Sequence, residues 1–96
     1  MISTKQRAYL RGLANKIEVV LQIGKNGIDD NVVKQANEAL AAREIIKGSV
    51  LENSDYSARD AVQALSELCN ADIVQTIGRR FVLYKPAKKP IIVLPD

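Results

Sequence analysis

The chain contains no histidine and no tryptophan, a single cysteine, and only 4% aromatic residues. Without histidine, the serine–histidine and cysteine–histidine nucleophile arrangements are excluded. The lone thiol, Cys69, cannot close an internal disulfide. It also falls short of a structural zinc site, which takes Cys and His in sets of three or four. The carboxylates are scattered singly, and the adjacent Asp29 and Asp30 read as a helix cap before an acid/base pair. Neither Gly-x-x-x-x-Gly-Lys-Ser/Thr nor Gly-x-Gly-x-x-Gly occurs, so a nucleotide site lacks its fingerprint. No apolar run approaches the ~20 residues that cross a bilayer. The opening Met-Ile-Ser-Thr-Lys-Gln-Arg lacks the apolar core of a secretory signal. A cytoplasmic protein with no catalytic residues, no cofactor, no metal and no membrane partner is therefore expected.

What the chain does have is charge arranged in blocks. The net charge of +3 is mild. However, residues 1–17 hold Lys5, Arg7, Arg11 and Lys16 with no acid, and residues 79–89 hold Arg79, Arg80, Lys85, Lys88 and Lys89 with none. Residues 26–78 hold four bases against nine acids. A fold that brings the two basic ends together with Lys25 would present a positive face to phosphate. The alternative is an ordinary solvated surface.

Hydrophobic periodicity orders the elements. Ser3 or Thr4 caps a first helix running to about Asn15, with Leu10, Leu13, Ala14 and Ile17 as its stripe and Gly12 weakening it. Residues 18–23, with the β-branched Val19, Val20 and Ile23, predict a buried strand. A second helix starts at Asp29 or Asp30 with Val33, Ala36 and Leu40 inward, widened by Val32 and Ala39. Residues 44–51 predict a second strand, and Asp55 or Ser57 caps a third helix. That helix turns Ala58, Ala61, Val62, Leu65, Leu68 and Cys69 to one side, which makes Cys69 a core residue. Strands at 73–77 and 81–84 flank Gly78-Arg79-Arg80, short enough for a hairpin. The Pro-containing tail 86–96 suits a sheet edge at most. The order α-β-α-β-α-β-β implies an α/β sandwich in a single domain, with one mixed four-stranded sheet packed with three helices.

The most informative stretch is Ile23-Gly24-Lys25-Asn26-Gly27, between the first strand and a capped helix. Glycines let a phosphate approach the backbone, a helix start offers unpaired N–H groups, and Lys25 supplies a cation. In KH domains a Gly-x-x-Gly loop in this setting clamps single-stranded nucleic acid. Arg79 and Arg80 occupy a turn where Asn-Gly would serve geometry better, since both are bulky at positions that can require positive φ. Arginine there suits phosphate, and a solvated turn is the bland alternative. Tyr84 fits either a base-stacking role or a half-buried sheet position, and Lys47 is equally ambiguous.

Taken along its whole length, the chain resembles the YhbY-like bacterial proteins, which consist of one CRM (chloroplast RNA splicing and ribosome maturation) domain. The resemblance rests on Thr4-Lys5-Gln6-Arg7 with Leu10-Arg11, on Ile23 to Gly27, and on Glu44-Ile45-Ile46-Lys47 with Val50 to Asn53. Gln75 to Gly78, Val82 to Lys85 and the closing Ile-Val-Leu-Pro of 92–95 complete it. It implies a sandwich similar to the C-terminal domain of bacterial translation initiation factor three, with RNA binding and association with precursors of the large ribosomal subunit; a monomer is expected. The family's Gly-x-x-Gly loop maps onto Gly24, Lys25, Asn26 and Gly27, and the charge pattern adds Lys5, Arg7, Arg11, Arg79, Arg80 and Lys85 as expected contacts, Arg79-Arg80 making the hairpin more basic than the family requires. Gly48 and Ser49 depart from the bulkier residues expected there, and Gly48 suggests a bulge or a weak strand. With few aromatics, backbone and shape recognition is expected over base reading. A competing expectation is a protein-interaction adaptor that docks on a ribosomal protein or assembly factor, its strand-like tail adding to a sheet edge.

Overall fold

The computed structural model describes residues 2–54 and 56–95. Seven elements follow in order: α1 (Thr4–Ala14), β1 (Val19–Ile23), α2 (Asp30–Arg43), β2 (Ile45–Val50), α3 (Ala58–Cys69), β3 (Asp72–Ile77) and β4 (Arg80–Tyr84). Each helix begins where a side-chain oxygen takes up an orphan backbone donor. Ser3 accepts from the Gln6 amide, and Gln6 returns the bond to the Ser3 amide in a capping box. Asp29 accepts from Val32, and Ser57 accepts from Asp60. Asp55, the other cap considered for α3, lies outside the described residues.

The strands form one mixed sheet in the order β1-β2-β4-β3. β1 and β2 run parallel across α2, while β4 is antiparallel to both its neighbours. The crossover from β2 through α3 therefore leaves a vacant place beside β2, and the β3–β4 hairpin fills it. α2 and α3 cover one face of the sheet, burying Leu21, Ile23, Leu40, Ile46, Leu65, Phe81 and Leu83. α1 covers part of the other face, packing Leu10 and Ala14 on Ile45, Val74, Val82 and Tyr84. Full burial of one such large apolar side chain contributes about 1.5–3 kcal/mol.

Several expectations need correcting. Gly48 is neither a bulge nor a weak point: it pairs with Phe81, whose ring lies over the space a Cβ would fill. The register shifts instead in β1 around Val20 and in β3 around Val74. The second shift sends both Val74 and Gln75 to the α1 side of the sheet. In α3, Leu68 is 59% exposed and Ser66 is buried in its place, its hydroxyl donating to the Gln63 carbonyl.

Glu44 is not a strand residue. It ends α2 at φ +65 and is fully buried. Its carboxylate accepts three backbone N–H bonds, from Ala87, Ile91 and Ile92, each at 2.7 Å. Burial pushes the Glu44 pKa up, but these three donors outweigh it and hold the group below the ordinary value. The tail is thereby tied down and, among the described residues, adds no strand to the sheet. Ile92 and Leu94 pack with α1, Gln6 donates to the Pro95 carbonyl, and Ile91 and Val93 face outward.

Candidate nucleic-acid interface

β1 ends at Ile23, whose carbonyl accepts from the Leu51 amide at 2.8 Å. The chain then reverses: the Gly27 amide donates to the Gly24 carbonyl at 3.0 Å, leaving Lys25 and Asn26 exposed at the tip of a β-turn. Gly27 has φ +67, and a Cβ there would meet the Tyr56 ring at 2.5 Å. Conformation and packing thus both demand glycine at 27. Gly24 differs, since a Cβ there would make only ordinary contacts with Leu51 and Asn53. Folding leaves room for a side chain at 24, so its absence keeps backbone open to a visitor.

The helix start behind the turn is less open to an anion than the sequence suggests. The Asp29 carboxylate already occupies the N-terminus of α2, and Asp30 stands in its first turn. These acids satisfy the dipole from within. A phosphate at this loop would be drawn to the turn and Lys25, not to the helix end.

The hairpin meets the turn at the same end of the sheet. The Val50 amide donates to the Arg79 carbonyl at 2.7 Å, and Val50 pairs with Ile23 on its other side. Two strand spacings, about 10 Å, therefore separate the hairpin from the start of the Gly24–Gly27 turn. Ile77 pairs with Arg80, so Gly78 and Arg79 form a two-residue loop. The positive φ of +57 falls on Gly78, while Arg79 and Arg80 remain on the ordinary side. The anticipated strain on the arginines is absent.

The remaining basic residues divide. The last turn of α1 holds Arg11 and leads to Asn15, which lines a cleft with Arg80. Arg7 is one turn back, and Lys5 lies on the turn whose Gln6 is bonded to the tail. Lys85 follows β4 at the opposite end of the sheet, where its ammonium donates to the Cys69 carbonyl at 3.0 Å and caps α3. It does not join the loop. Burial pushes the Cys69 thiol pKa up, with Lys85 partly opposing. Tyr84 is buried against α1, unfit to stack on a base, and burial first, then Glu44 and Asp72, raise its pKa. Lys47 is half-buried on the α1 side of the sheet.

Sequence reasoning missed Tyr56, 42% exposed and lying against the Gly27 backbone. Its only signal was an aromatic residue just after turn chemistry. Leu51 and Asn53, which carry part of the family resemblance, lie beside Gly24, a proximity that strand and turn signals do not reveal. Among the described residues, no group of His, Cys, Asp and Glu is placed to hold a metal ion, and no helix is long and apolar enough to cross a membrane.

This architecture is shared. The solution structure of SAV1595 from Staphylococcus aureus, described as a candidate RNA-binding protein, superposes with a TM-score of 0.83. It is 41% identical, and the match covers 99% of this chain and 100% of that one. The Bacillus subtilis (strain 168) protein named "Probable RNA-binding protein YqeI" is 44% identical over 89 residues, 93% of each chain. A Haemophilus influenzae protein named "RNA-binding protein" is 35% identical over 94 residues, 98% of this chain and 95% of its own. The family model described as CRS1 / YhbY (CRM) domain matches residues 2–85, so the chain belongs to the CRS1/YhbY family.

Proposed function

We propose that this protein is a non-catalytic, monomeric, cytoplasmic RNA-binding domain, spanning residues 1–96, that holds ribosomal RNA during assembly of the large ribosomal subunit. The observation that carries the RNA contact is the meeting, at one end of the sheet, of the Gly24–Gly27 turn and the Arg79–Arg80 hairpin. The RNA-binding names of the relatives support the same partner. In the mechanism, a phosphate sits against the exposed turn at Gly24 with Lys25 neutralising it and Asn26 donating a hydrogen bond. Arg79 and Arg80 take a second phosphate one hairpin away, and Arg11 and Arg7 continue the track along α1. Lys85 and Lys5 are peripheral to it. The resemblance to YhbY-like proteins supplies the ribosomal setting.

The RNA reading is favoured over a protein-interaction adaptor docking on a ribosomal protein or assembly factor, because Glu44 and Gln6 hold the tail that would add to a partner's sheet. Crosslinking in intact cells, read at nucleotide resolution, tests the proposal. Wild-type protein should crosslink to large-subunit RNA in precursor particles, and Lys25→Glu with Arg79→Glu should abolish it. Neutralising ~4 phosphates predicts that affinity falls about three decades per decade of salt. Salt-insensitive particle association that survives both substitutions would overturn the reading.

A further inference from the structure

α1 leaves part of its side of the sheet uncovered. The cross-strand registers fix what lies there. One row runs Gln22, Ser49, Arg80, Ile77 across all four strands, and the next, Val19, Lys47, Val82, Gln75, borders α1, with Val82 buried beneath the helix. Neither row contains an acid. Lys47 and Arg80 stand on adjacent strands as diagonal neighbours, about 7–8 Å apart at the backbone. An opposite-charge pair would have served a merely solvated sheet better. Ile77, 63% exposed, is equally out of place on such a surface.

Two clefts flank Arg80. One, of about 160 Å³, is lined by Asn15, Lys47, Gln75 and Ile77. The other, of about 350 Å³, is lined by Gln22, Ser49, Leu51, Glu52 and Arg79. Arg80 borders both. The second cleft adjoins the Gly24–Gly27 turn through Leu51, which touches the position of a Gly24 Cβ. A continuous path thus leads from the turn, past the arginine, to a small recess with an apolar wall and two amides.

We infer that this path takes an unpaired RNA strand and that the Asn15–Lys47–Gln75–Ile77 recess reads one base. This rests on the RNA-binding reading above and adds to it the class of RNA and a base-reading site. Arg80 holds the phosphate between the two clefts. The base lies with its face on Ile77 and its edge toward the Asn15 and Gln75 amides, each of which offers a donor and an acceptor. Single strands expose those edges, whereas the deep major groove of an RNA duplex hides them. The scarcity of aromatics favours shape and backbone recognition over base reading, and the amides of this recess, assembled from distant parts of the chain, add a base-reading element to it.

The test is fluorescence anisotropy with labelled A, C, G and U oligomers of about ten nucleotides and with a duplex of equal length. Wild-type protein should favour single strands over the duplex and prefer one base by about fivefold, the net worth of one hydrogen bond. Gln75→Leu should flatten that preference to under about twofold without changing the salt slope, since it removes a hydrogen-bonding group and no charge. Asn15→Ala, at an exposed position, should do the same should Gln75→Leu prove unstable by melting. Equal affinity for every oligomer, or a preference that both variants retain, overturns the base-reading site and leaves the wider RNA-binding reading standing. A failure to bind any RNA overturns both. Ile77-dependent association with a protein, without response to oligomers, also overturns this inference.

Discussion

Glu44→Gln should release the C-terminal segment. The wild-type carboxylate accepts from Ile91 and Ile92 at one oxygen and from Ala87 at the other, all at 2.7 Å. The amide keeps the shape and can still accept the first two. Its NH2 group, however, faces the Ala87 N–H, donor against donor. One charge-assisted bond is lost outright and two become neutral, a cost of about 2–4 kcal/mol. In hydrogen exchange, the Ala87, Ile91 and Ile92 amides should lose roughly 30- to 1,000-fold protection. In a thermal melt, a loss of that size felt by the whole domain would lower the midpoint by about 10–25 °C. The pH dependence carries its own sign. Because the folded pKa is lowered from 4.5, the stabilisation is complete above that value and is lost as pH falls through the lower folded value. The difference between wild type and Glu44→Gln should accordingly vanish in acid. Unchanged protection at these three amides, together with an unchanged melt, would refute the carboxylate as the anchor of the tail.

The two glycines of the turn should separate. Gly27→Ala forces an L side chain to φ +67 against Tyr56 and should cost about 1–3 kcal/mol, read by denaturant unfolding. Gly24→Ala should stay within about 0.5 kcal/mol of wild type yet weaken RNA binding, and full binding would argue against close backbone approach at 24. Lys25→Asp with Asn26→Asp should leave the melting midpoint nearly unchanged, since both side chains are exposed; a large drop would make the turn structural. Gly48→Ala must displace the Phe81 ring and should cost about 1–3 kcal/mol, visible in urea unfolding. The Cys69 thiol should resist alkylation in native protein near neutral pH and react on denaturation, because burial raises its pKa and blocks access.

Local signals were legible in the sequence, and distant pairings were not. Ser3, Asp29 and Ser57 announce their helices because capping is a matter of three residues. The Leu65–Cys69 stripe is legible for the same reason, although the edge of the buried arc, where Leu68 gives way to Ser66, depends on how α3 tilts on the sheet. Glu44 was opaque because its partners lie 43 to 48 residues away. Gly48 looked like a defect only until Phe81 was set opposite it. The Gly24–Gly27 turn was legible as a loop, but not its Asp29-occupied helix start or its Tyr56 support. The sheet recess was hidden altogether, because cross-strand register sets Lys47 and Gln75 on either side of Val82 and the packing of α1 on the sheet adds Asn15 from its C-terminus.

The place of β4 bears on how the molecule comes into being. It is the last of this sheet's four strands in chain order, yet it lies in the interior of the sheet and supplies both hydrophobic clusters, Phe81 and Leu83 to one and Val82 and Tyr84 to the other. A nascent chain that has reached β3 can pair β1 with β2 but has nothing to set between β2 and β3. Both clusters stay unfinished, and their apolar residues wait exposed, until residues 80–84 leave the ribosomal exit tunnel. The arginine hairpin and the sheet rows beside it come into existence in that same step. Completion of both clusters and formation of the arginine hairpin thus depend on the same late segment, whereas Arg7, Arg11 and the Gly24–Gly27 turn lie upstream of it.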